Sequence, residues 1–254
     1  MTTPPEHATS AESGASDLFL DVLRLSKTQE HTRREADYVE MLLDLSAPAH
    51  LLDVPCGGGR LAIELATRRH RVAGVDIEPF LLQEARRAAQ ERQVEAAFTA
   101  VQRDMRDLPW TAEFDGAYCF WESFGYFDDA GNRAFLEAVA SALKPSSRFV
   151  FDTHIMETAL PHMHFRDWEW VGGNILVLEE REYDHVAGTM IRHWTFMQGG
   201  RTERRSLAFR LYTYRELVAL LEAAGFTACE GYTWLSVVPF ALGAPRLVMS
   251  AAKA

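Results

Sequence analysis

Three consecutive glycines follow an apolar run that ends in an acid. The run Leu51–Asp53 is followed by Val54–Cys56 and then by Gly57–Gly59, after which the amphipathic stretch Leu61–Arg69 begins. This pattern predicts a buried parallel strand, a tight turn and the start of a helix. Glycine tolerates positive φ and lets the backbone approach a bound molecule, and a helix N-terminus offers free N–H groups to an anion. The stretch is therefore expected to cradle a ligand.

Two further acids follow predicted strands. Asp76 lies near the end of the short apolar stretch Arg71–Ile77, and Asp104 comes after the alternating stretch Ala97–Gln102. A carboxylate at the carboxyl end of a strand can accept hydrogen bonds from both ribose hydroxyls of a nucleoside cofactor, which we expect of Asp76. Asp104 could accept from the exocyclic amine of adenine while the Met105 thioether lies against the ring face. The alternative for Asp104 is that it caps the next turn.

The glycines alone leave the ligand open. Gly57, Gly59 and Ala62 also satisfy the G-x-G-x-x-A form of the dinucleotide fingerprint, and Asp76 lies at about the right distance downstream. An NAD-dependent oxidoreductase is therefore one alternative. A binding or assembly module that has no catalytic activity is another.

The residues around the glycines carry a resemblance to a known family. The glycines follow the pattern Asp-x-Pro-Cys at Asp53–Cys56, and a second acidic motif, Arg103–Asp107, follows the third predicted strand. These motifs resemble those of the class I S-adenosylmethionine-dependent methyltransferases, and the resemblance runs from about Glu30 to Lys253. It is closest to bacterial small-molecule methyltransferases with a β-rich insertion, including antibiotic-sugar N-methyltransferases. The resemblance implies S-adenosylmethionine as the cofactor. The cofactor-binding residues that follow from the motifs and the resemblance are Thr32, Arg33, Asp53, Pro55, Cys56, Gly57, Gly59, Asp76, Ile77, Asp104, Met105 and Trp121.

An aromatic loop, Glu122–Phe127, follows the fourth predicted strand, Phe114–Trp121. In the resembling family a loop of this S-F-G-Y-F kind lies between the sulfonium of the cofactor and the substrate. Aromatic faces favour a partly desolvated cation by about 0.5 to 2 kcal/mol, so Trp121, Phe124 or Tyr126 could hold the sulfonium or a cationic amine. Core packing is the alternative, and we expect it for Phe120 and Phe127.

His154 is the predicted general base. It follows the fifth predicted strand, Arg148–Asp152, at the sheet edge where such folds place chemistry. An unperturbed histidine pKa of about 6.5 suits proton removal near neutral pH, although a histidine bonded to nearby backbone is the alternative. Tyr126, as a hydrogen-bond donor, and Glu122, as a carboxylate base, are the other catalytic candidates. The predicted reaction is methyl transfer to an oxygen, nitrogen or carbon nucleophile of a small molecule.

Two periodicities predict the elements that position these residues. Strands alternating with helices up to Asp152 predict a parallel sheet, whereas a period of two from Trp168 to Leu211 predicts an antiparallel meander of three or more strands. After the helix Tyr214–Ala224, two strands form a closing hairpin. A methyltransferase sheet ends with an antiparallel strand beside the fifth, whereas a dinucleotide fold ends parallel. The predicted fold is α/β, a Rossmann-like seven-stranded doubly wound sheet in the order 3-2-1-4-5-7-6, with the last strand antiparallel and an antiparallel β insertion after the fifth strand.

The chain is predicted to have three parts. Residues 1–16 are expected to be disordered, because small and polar residues dominate them. Residues 17–154 and 212–254 are expected to form the core. The resemblance implies that its N-terminal helices cover the cofactor and that the polar segment Glu30–Arg34 approaches the carboxylate of the cofactor; the alternative for this segment is a solvated helix face. Residues 155–211 are expected to form the insertion, as a lid, a substrate platform or the surface of a homodimer.

The charge balance argues against some classes of partner. The chain has 36 acidic and 26 basic residues, and its net charge of -10 repels phosphate backbones and anionic membrane surfaces. We therefore expect neither nucleic acid nor a membrane as partner, and the resemblance implies a small-molecule substrate. The three cysteines imply no disulfide framework, and the first 16 residues do not resemble a signal peptide. A cytoplasmic protein without a metal site is expected, because the histidine spacing matches no metal-binding pattern.

Overall fold

The computed structural model describes residues 18–45 and 48–254. The segment 1–16, which was predicted to be disordered, lies outside these residues. Contacts divide the described chain into a larger unit, 29–162 with 210–254, and a smaller unit, 18–28 with 163–209. None of the helices in the described residues is both long and apolar enough to cross a bilayer.

Helices and strands alternate through the first part of the chain, and strands dominate residues 166–210, as the two periodicities predict. The helices are α1 (Leu18–Leu25), α2 (Gln29–Leu42), α3 (Arg60–Thr67), α4 (Pro79–Glu91), α5 (Asp129–Ala142), α6 (Met156–Ala159) and α7 (Tyr214–Ala223). The strands are β1 (His50–Asp53), β2 (Arg71–Asp76), β3 (Phe98–Gln102), β4 (Phe114–Cys119), β5 (Leu143–Thr153), β6 (Arg166–Val171), β7 (Ile175–Asp184), β8 (Thr189–Gln198), β9 (Arg201–Arg210), β10 (Phe226–Thr233) and β11 (Leu247–Lys253).

The larger unit is built on a seven-stranded sheet in the order β3-β2-β1-β4-β5-β11-β10. Strands β1 to β5 run parallel, and β11 is antiparallel to β5, with Leu247 opposite Thr153. The predicted order 3-2-1-4-5-7-6 and the antiparallel last strand are therefore confirmed. This ending favours a methyltransferase sheet over a dinucleotide-binding one.

Helices cover both faces of this sheet. On one face, buried residues of α5 and α7, among them Phe135 and Leu217, pack with buried strand residues. On the other face, buried residues of α2, α3 and α4, among them Val39, Leu65 and Ala85, form a second cluster. Burial of both faces explains why the parallel strands are nearly continuous apolar runs.

The smaller unit is a four-stranded antiparallel sheet, β6-β7-β8-β9, with α1 packed against it. Helix α1 was predicted to be part of the helical cover of the core. This prediction is wrong, because α1 packs against the antiparallel sheet. Its Leu18 is buried in one cluster with Ile175, Val177 and Phe196 of the antiparallel sheet. The apolar face of α1 therefore covers the insertion, while α2 stays with the larger unit.

Candidate active site

Acidic side chains meet at one edge of the larger sheet. Asp53 is the last residue of β1, Asp76 is the last residue of β2, and Asp152 lies next to the last residue of β5. Strand order reverses between β1 and β4, and ligands of doubly wound folds bind at the carboxyl ends of the strands beside such a point. All three acids are buried, and Asp152 is completely inaccessible to solvent. Buried carboxylates are costly unless they are hydrogen-bonded or paired, so their partners define the site.

The glycine turn joins β1 to α3 as the sequence predicts. Gly57 and Gly59 both have positive φ, 53° and 73°. Asp53 accepts a hydrogen bond from the backbone N–H of Ala62 in the first turn of α3, and burial raises its pKa well above the usual range. Pro55 and Cys56 are half-buried in the turn, and burial likewise raises the pKa of the Cys56 thiol. The thiol is thus held protonated, as a packing group rather than a nucleophile.

Two glycines of the turn differ in what lies beside them, which gives a testable contrast. A Cβ on Gly59 would come within 2.8 Å of the Cβ of Ala85 on α4, whereas a Cβ on Gly57 would meet nothing within 4 Å. We expect Gly59→Ala to lower the free energy of unfolding by about 2 to 4 kcal/mol, from positive φ and overpacking together. Gly57→Ala should cost only about 1 to 2 kcal/mol, from φ alone. Urea titration measures both, and equal losses would contradict the close approach of α4.

Asp76 ties the glycine turn to the end of β2. The backbone N–H of Gly57 donates to its Oδ2 at 2.8 Å, and that of Glu78 donates to its Oδ1 at 2.9 Å. Burial raises the pKa of Asp76, and the backbone donors oppose that rise. The backbone N–H of Ile77 is a third donor to this carboxylate, which still leaves acceptor capacity for a ligand hydroxyl. The neighbouring Ile77 side chain is 59% exposed, so an apolar surface lies next to this acceptor.

Asp104 and Met105 lie beyond the end of β3. Asp104 accepts from the backbone N–H of Arg106 at 2.8 Å, and the guanidinium of Arg106 donates to both carboxylate oxygens. The turn-capping alternative therefore describes what this carboxylate does in the structure. Met105 is buried in the core cluster that also contains Val75. The Arg106 guanidinium in turn stacks on Phe127, 4.1 Å from the ring centroid, and that ring packs against the same cluster.

The two residues of α2 that were predicted to bind the cofactor, Thr32 and Arg33, differ in their surroundings. Thr32 is buried, and its Oγ1 accepts a hydrogen bond from Arg60 Nη1 at 2.7 Å. Arg33 is exposed, and its backbone carbonyl accepts from Arg68 instead. The structure therefore joins Thr32, and not Arg33, to the first residue of α3.

Arg60 is a residue of the candidate site that the sequence analysis missed. It forms an ion pair with the buried Glu35 of α2, and its Cζ lies 5.3 Å from the ring centroid of Trp121. It thus connects the helix after the glycine turn with α2 and with the aromatic loop. Its position in the sequence could have identified it, because an arginine directly after the glycines occupies the first position of the helix, next to the predicted ligand-binding turn.

The aromatic loop begins in a strained backbone conformation. Trp121 and Glu122 have φ of 70° and 58°, which is uncommon for residues other than glycine. Their consecutive N–H groups both donate to Asp152, at 2.6 Å to Oδ1 and 3.2 Å to Oδ2. Two such residues cost about 1 to 3 kcal/mol each, and the charged acceptor offsets part of that cost. Burial raises the pKa of Asp152 to about 6, against the opposing charge of Arg246.

His154 and Glu122, two of the predicted catalytic residues, are in direct contact. His154 Nε2 lies 3.0 Å from Glu122 Oε1, and Arg246 is paired with the same oxygen. Arg246 Nη1 also lies 3.3 Å from Asp152 Oδ2. His154 Nδ1 is buried and has no hydrogen-bond partner among the described residues. If the proton is assigned to Nε2, facing the carboxylate, Nδ1 carries the basic lone pair.

The remaining aromatic candidates divide between site and core. Tyr126 donates toward Ser123 Oγ at 3.4 Å, and burial raises the pKa of its hydroxyl to about 12. Phe124, which was predicted as a cation holder, is instead a core residue, because its ring packs 4.9 Å from that of Phe151 and is almost inaccessible. Phe120 is buried, as expected.

Trp121 and Trp234 form the aromatic surface of this edge. Their ring centroids are 6.3 Å apart, and the Arg246 guanidinium lies 5.5 Å from one and 4.5 Å from the other. Trp234 and Arg246 come from the segment between β10 and β11 and were missed by the sequence analysis. No local pattern marks them, since their partners in the aromatic loop lie more than a hundred positions away in the chain.

A sheet of this order, with a glycine turn and acids at its reversal point, defines the fold of S-adenosylmethionine-dependent methyltransferases. A family model described as a methyltransferase domain matches residues 51–146. The putative methyltransferase GWCH70_2453 of Geobacillus sp. (strain WCH70) is 32% identical over 190 residues, which cover 71% of this chain and 74% of that protein. The chain belongs to the class I S-adenosylmethionine-dependent methyltransferases, and the oxidoreductase alternative is thereby set aside.

Two further comparisons agree with this assignment. The O-methyltransferase resE of Aspergillus sclerotiorum is 33% identical over 137 residues, 52% of this chain, and the match spans about half the length of that protein, 49%. Among solved structures, the S-adenosylmethionine-bound CalS10 of Micromonospora echinaspora, an amino pentose methyltransferase, has a TM-score of 0.70 at 20% identity. That alignment covers 96% of this chain and 100% of CalS10, and at this identity it shows the fold.

Proposed function

We propose that this protein transfers the methyl group of S-adenosylmethionine to an oxygen, nitrogen or carbon nucleophile of a small molecule. The observation that carries the proposal is the assembly of the glycine turn, Asp76 and the His154–Glu122 pair at one edge of the sheet. The first two provide a nucleoside site, and the pair provides a basic group beside it.

The residues at this edge fit the cofactor. A side chain at Gly57 would project into open space, as a turn that cradles a ligand requires. Asp76 retains acceptor capacity for the ribose hydroxyls, with Ile77 beside it, and the Gly57–Gly59 turn approaches through its backbone. We assign the adenine to Asp104 and Met105. Binding there requires the Arg106 guanidinium to give up one of its hydrogen bonds to the Asp104 carboxylate. The carboxylate of the cofactor is assigned to Arg60, which Thr32 holds in place.

The bound cofactor would supply an electrophilic methyl group on sulfur, and the protein has to orient the acceptor and remove its proton. We assign the removal of that proton to His154 Nδ1, which would take it up from the acceptor. This nitrogen is buried and has no hydrogen-bond partner among the residues that the structure describes. Glu122 sets the tautomer by accepting from Nε2. Tyr126 remains protonated at neutral pH, since its pKa is raised, so it cannot act as a base and could serve the acceptor as a hydrogen-bond donor in place of its bond to Ser123. Trp121 offers its face to the sulfonium.

Ligand-dependent melting and product formation test this function. S-adenosylmethionine at about 100 times its Kd should stabilise the fold by about 2.7 kcal/mol, whereas NAD should not change the melting temperature. Incubation with a panel of small-molecule alcohols, phenols, amines and carbon acids should then yield S-adenosylhomocysteine, measured by mass spectrometry. Stabilisation by NAD alone would contradict the cofactor assignment. Stabilisation by S-adenosylmethionine without product across the panel would instead support a non-catalytic binding module.

A further inference from the structure

Asp152 is a buried carboxylate to which the proposed methyl transfer assigns no role. It lies on β5, opposite Val248 of β11, and none of its surface is accessible to solvent. A charge in such a place is costly unless its partners compensate for the lost hydration. Its partners therefore show what this charge does in the protein.

Both carboxylate oxygens of Asp152 accept hydrogen bonds from the turn at which the aromatic loop begins. The N–H of Trp121 donates to Oδ1 at 2.6 Å, and the N–H of Glu122 donates to Oδ2 at 3.2 Å. Both donor residues have positive φ, 70° and 58°. Successive N–H groups of a turn form a concave anion site, and here the anion is a side chain of the protein itself. Without it, we expect two residues other than glycine to leave this strained conformation.

The end of β5 holds Glu122 at two points. Asp152 accepts from its backbone, and His154, two residues further along the chain, contacts its side chain, with Nε2 3.0 Å from Oε1. Residues two apart in an extended chain lie on the same side, which explains how one segment reaches both parts of Glu122. The orientation of the Glu122 carboxylate toward His154 therefore depends on the turn that Asp152 holds.

The same turn sets the position of the Trp121 ring. Its centroid lies 6.3 Å from that of Trp234, and the two ring planes are inclined by 74°. The Arg246 guanidinium lies 5.5 Å from the first centroid and 4.5 Å from the second, and its Nη1 is 3.3 Å from Asp152 Oδ2. One carboxylate thus fixes both the backbone of Trp121 and the cation beside its ring.

We propose that Asp152 is a positioning residue for methyl transfer. It holds the Trp121–Glu122 turn in the conformation that presents Glu122 to His154 and the Trp121 ring to the cofactor. This role rests on the proposed function, from which His154 and Trp121 have their own roles. Because Asp152 is fully buried, it acts through these residues and not on the substrate.

The Trp121–Trp234 pair gives a readout that needs no acceptor. Two indole rings this close couple their far-ultraviolet transitions, and the resulting couplet in the circular dichroism spectrum depends on their relative orientation. The difference between wild type and Trp234→Phe identifies the couplet. Asp152→Asn should remove most of it, because an amide has one acceptor oxygen and its NH₂ group would face N–H donors. A couplet of wild-type strength in Asp152→Asn would overturn the proposal.

The matched control is Asn132→Asp, at the other end of the same loop. Asn132 is also buried, and its amide accepts from the N–H of Phe127 at 3.3 Å and donates to the carbonyl of Phe127 at 2.7 Å. This substitution exchanges the same two chemical groups in the opposite direction. It should therefore destabilise the fold and keep the couplet. Equal loss of the couplet in both variants would refute a specific role of Asp152.

A pH titration of the wild type decides the question if Asp152→Asn does not fold. Burial raises the pKa of Asp152 to about 6, the charge of Arg246 opposes this rise, and that of Glu122 adds to it. The nearby Cys119 thiol is buried with a raised pKa and stays protonated. Only the carboxylate accepts both hydrogen bonds, so the couplet should weaken as the pH falls through about 6, in His154→Gln as in the wild type. A couplet that stays constant, or a transition that His154→Gln abolishes, would contradict the proposal.

Kinetics separate this role from that of the proposed base. With an identified acceptor, Asp152→Asn should lower kcat at least about tenfold, since misplaced catalytic groups cost up to about 100-fold. In an impaired His154→Gln background the same substitution should cost much less, because the two residues act as a unit. An unchanged kcat in Asp152→Asn, or an equally large loss in that background, would overturn the proposal. A near wild-type rate of His154→Gln would instead refute the base, and the couplet and kcat of Asp152→Asn would still decide the positioning role.

Discussion

Replacing His154 with glutamine should lower the rate of methyl transfer about 100-fold or more while leaving the affinity for S-adenosylmethionine unchanged. The imidazole is the proposed proton acceptor, and general base catalysis typically contributes about 100- to 10,000-fold. Glutamine keeps a polar side chain near Glu122 but cannot take up the proton. The measurement is kcat with an acceptor identified by the product screen, together with calorimetric titration of the cofactor.

The control is His164→Gln, because His164 is exposed and belongs to the smaller unit. A second variant, Glu122→Gln, should lower kcat without changing the affinity for S-adenosylmethionine, because it removes the carboxylate in contact with His154 Nε2. A loss of folded protein would instead lower the rate and the number of cofactor sites together. A near wild-type rate of methyl transfer by His154→Gln from pH 6 to 9 would contradict this role. It would mean either that another group takes the proton or that the acceptor needs no proton removed before transfer. A neutral amine is an acceptor of that kind.

Asp76→Ala should weaken S-adenosylmethionine binding by about 10- to 150-fold. The ribose hydroxyls would lose a charged acceptor, and a hydrogen bond to a charged group is worth about 1.5 to 3 kcal/mol. Asp76 also accepts from Gly57 and Glu78, so the variant should lose some stability as well. Titration of the cofactor and urea unfolding of the same preparations separate the two effects.

The matched control is Asp115→Ala. Asp115 also accepts a backbone N–H, that of His50 at 2.8 Å, but it lies beside the start of β1, at the opposite edge of the sheet. It should therefore lose stability without losing affinity. Equal affinities of wild type and a folded Asp76→Ala protein would remove Asp76 from the cofactor site.

The order of the sheet could be predicted from sequence, but the ends of its elements could not. Helix α5 ends at Ala142, and β5 begins at once at Leu143, although the strand was predicted to start at Arg148. The segment 143–147 has no apolar period that would mark a strand. The strand begins there because Leu143 pairs with Phe114 of β4, after which the register shifts and regular pairing resumes with Arg148 opposite Gly116. Such pairing is a tertiary contact and leaves no local signal.

The candidate site shows the same division between local and distant information. The glycine turn, Asp76 and the basic residue at the end of β5 were predictable, because each follows a buried strand and such strands end at one edge. The burial of Phe124 beside Phe151 was not, since an aromatic residue in a loop has no periodicity to show which side it faces. Arg33 and Thr32 are adjacent in the chain, yet only Thr32 reaches Arg60.

The sequence by itself determined the class of fold, the cofactor and the turn proposed to bind it, because these depend on short-range patterns of apolar, glycine and acidic residues. Only the tertiary structure decided which groups surround His154. Arg246 reaches Glu122 and Asp152 because antiparallel β11 inserts beside β5, which places Leu247 opposite Thr153. The assignment of α1 to the insertion was decided in the same way, by the apolar face against which Leu18 is buried. Contacts between distant segments depend on how whole elements dock, and a local pattern carries no record of the partner.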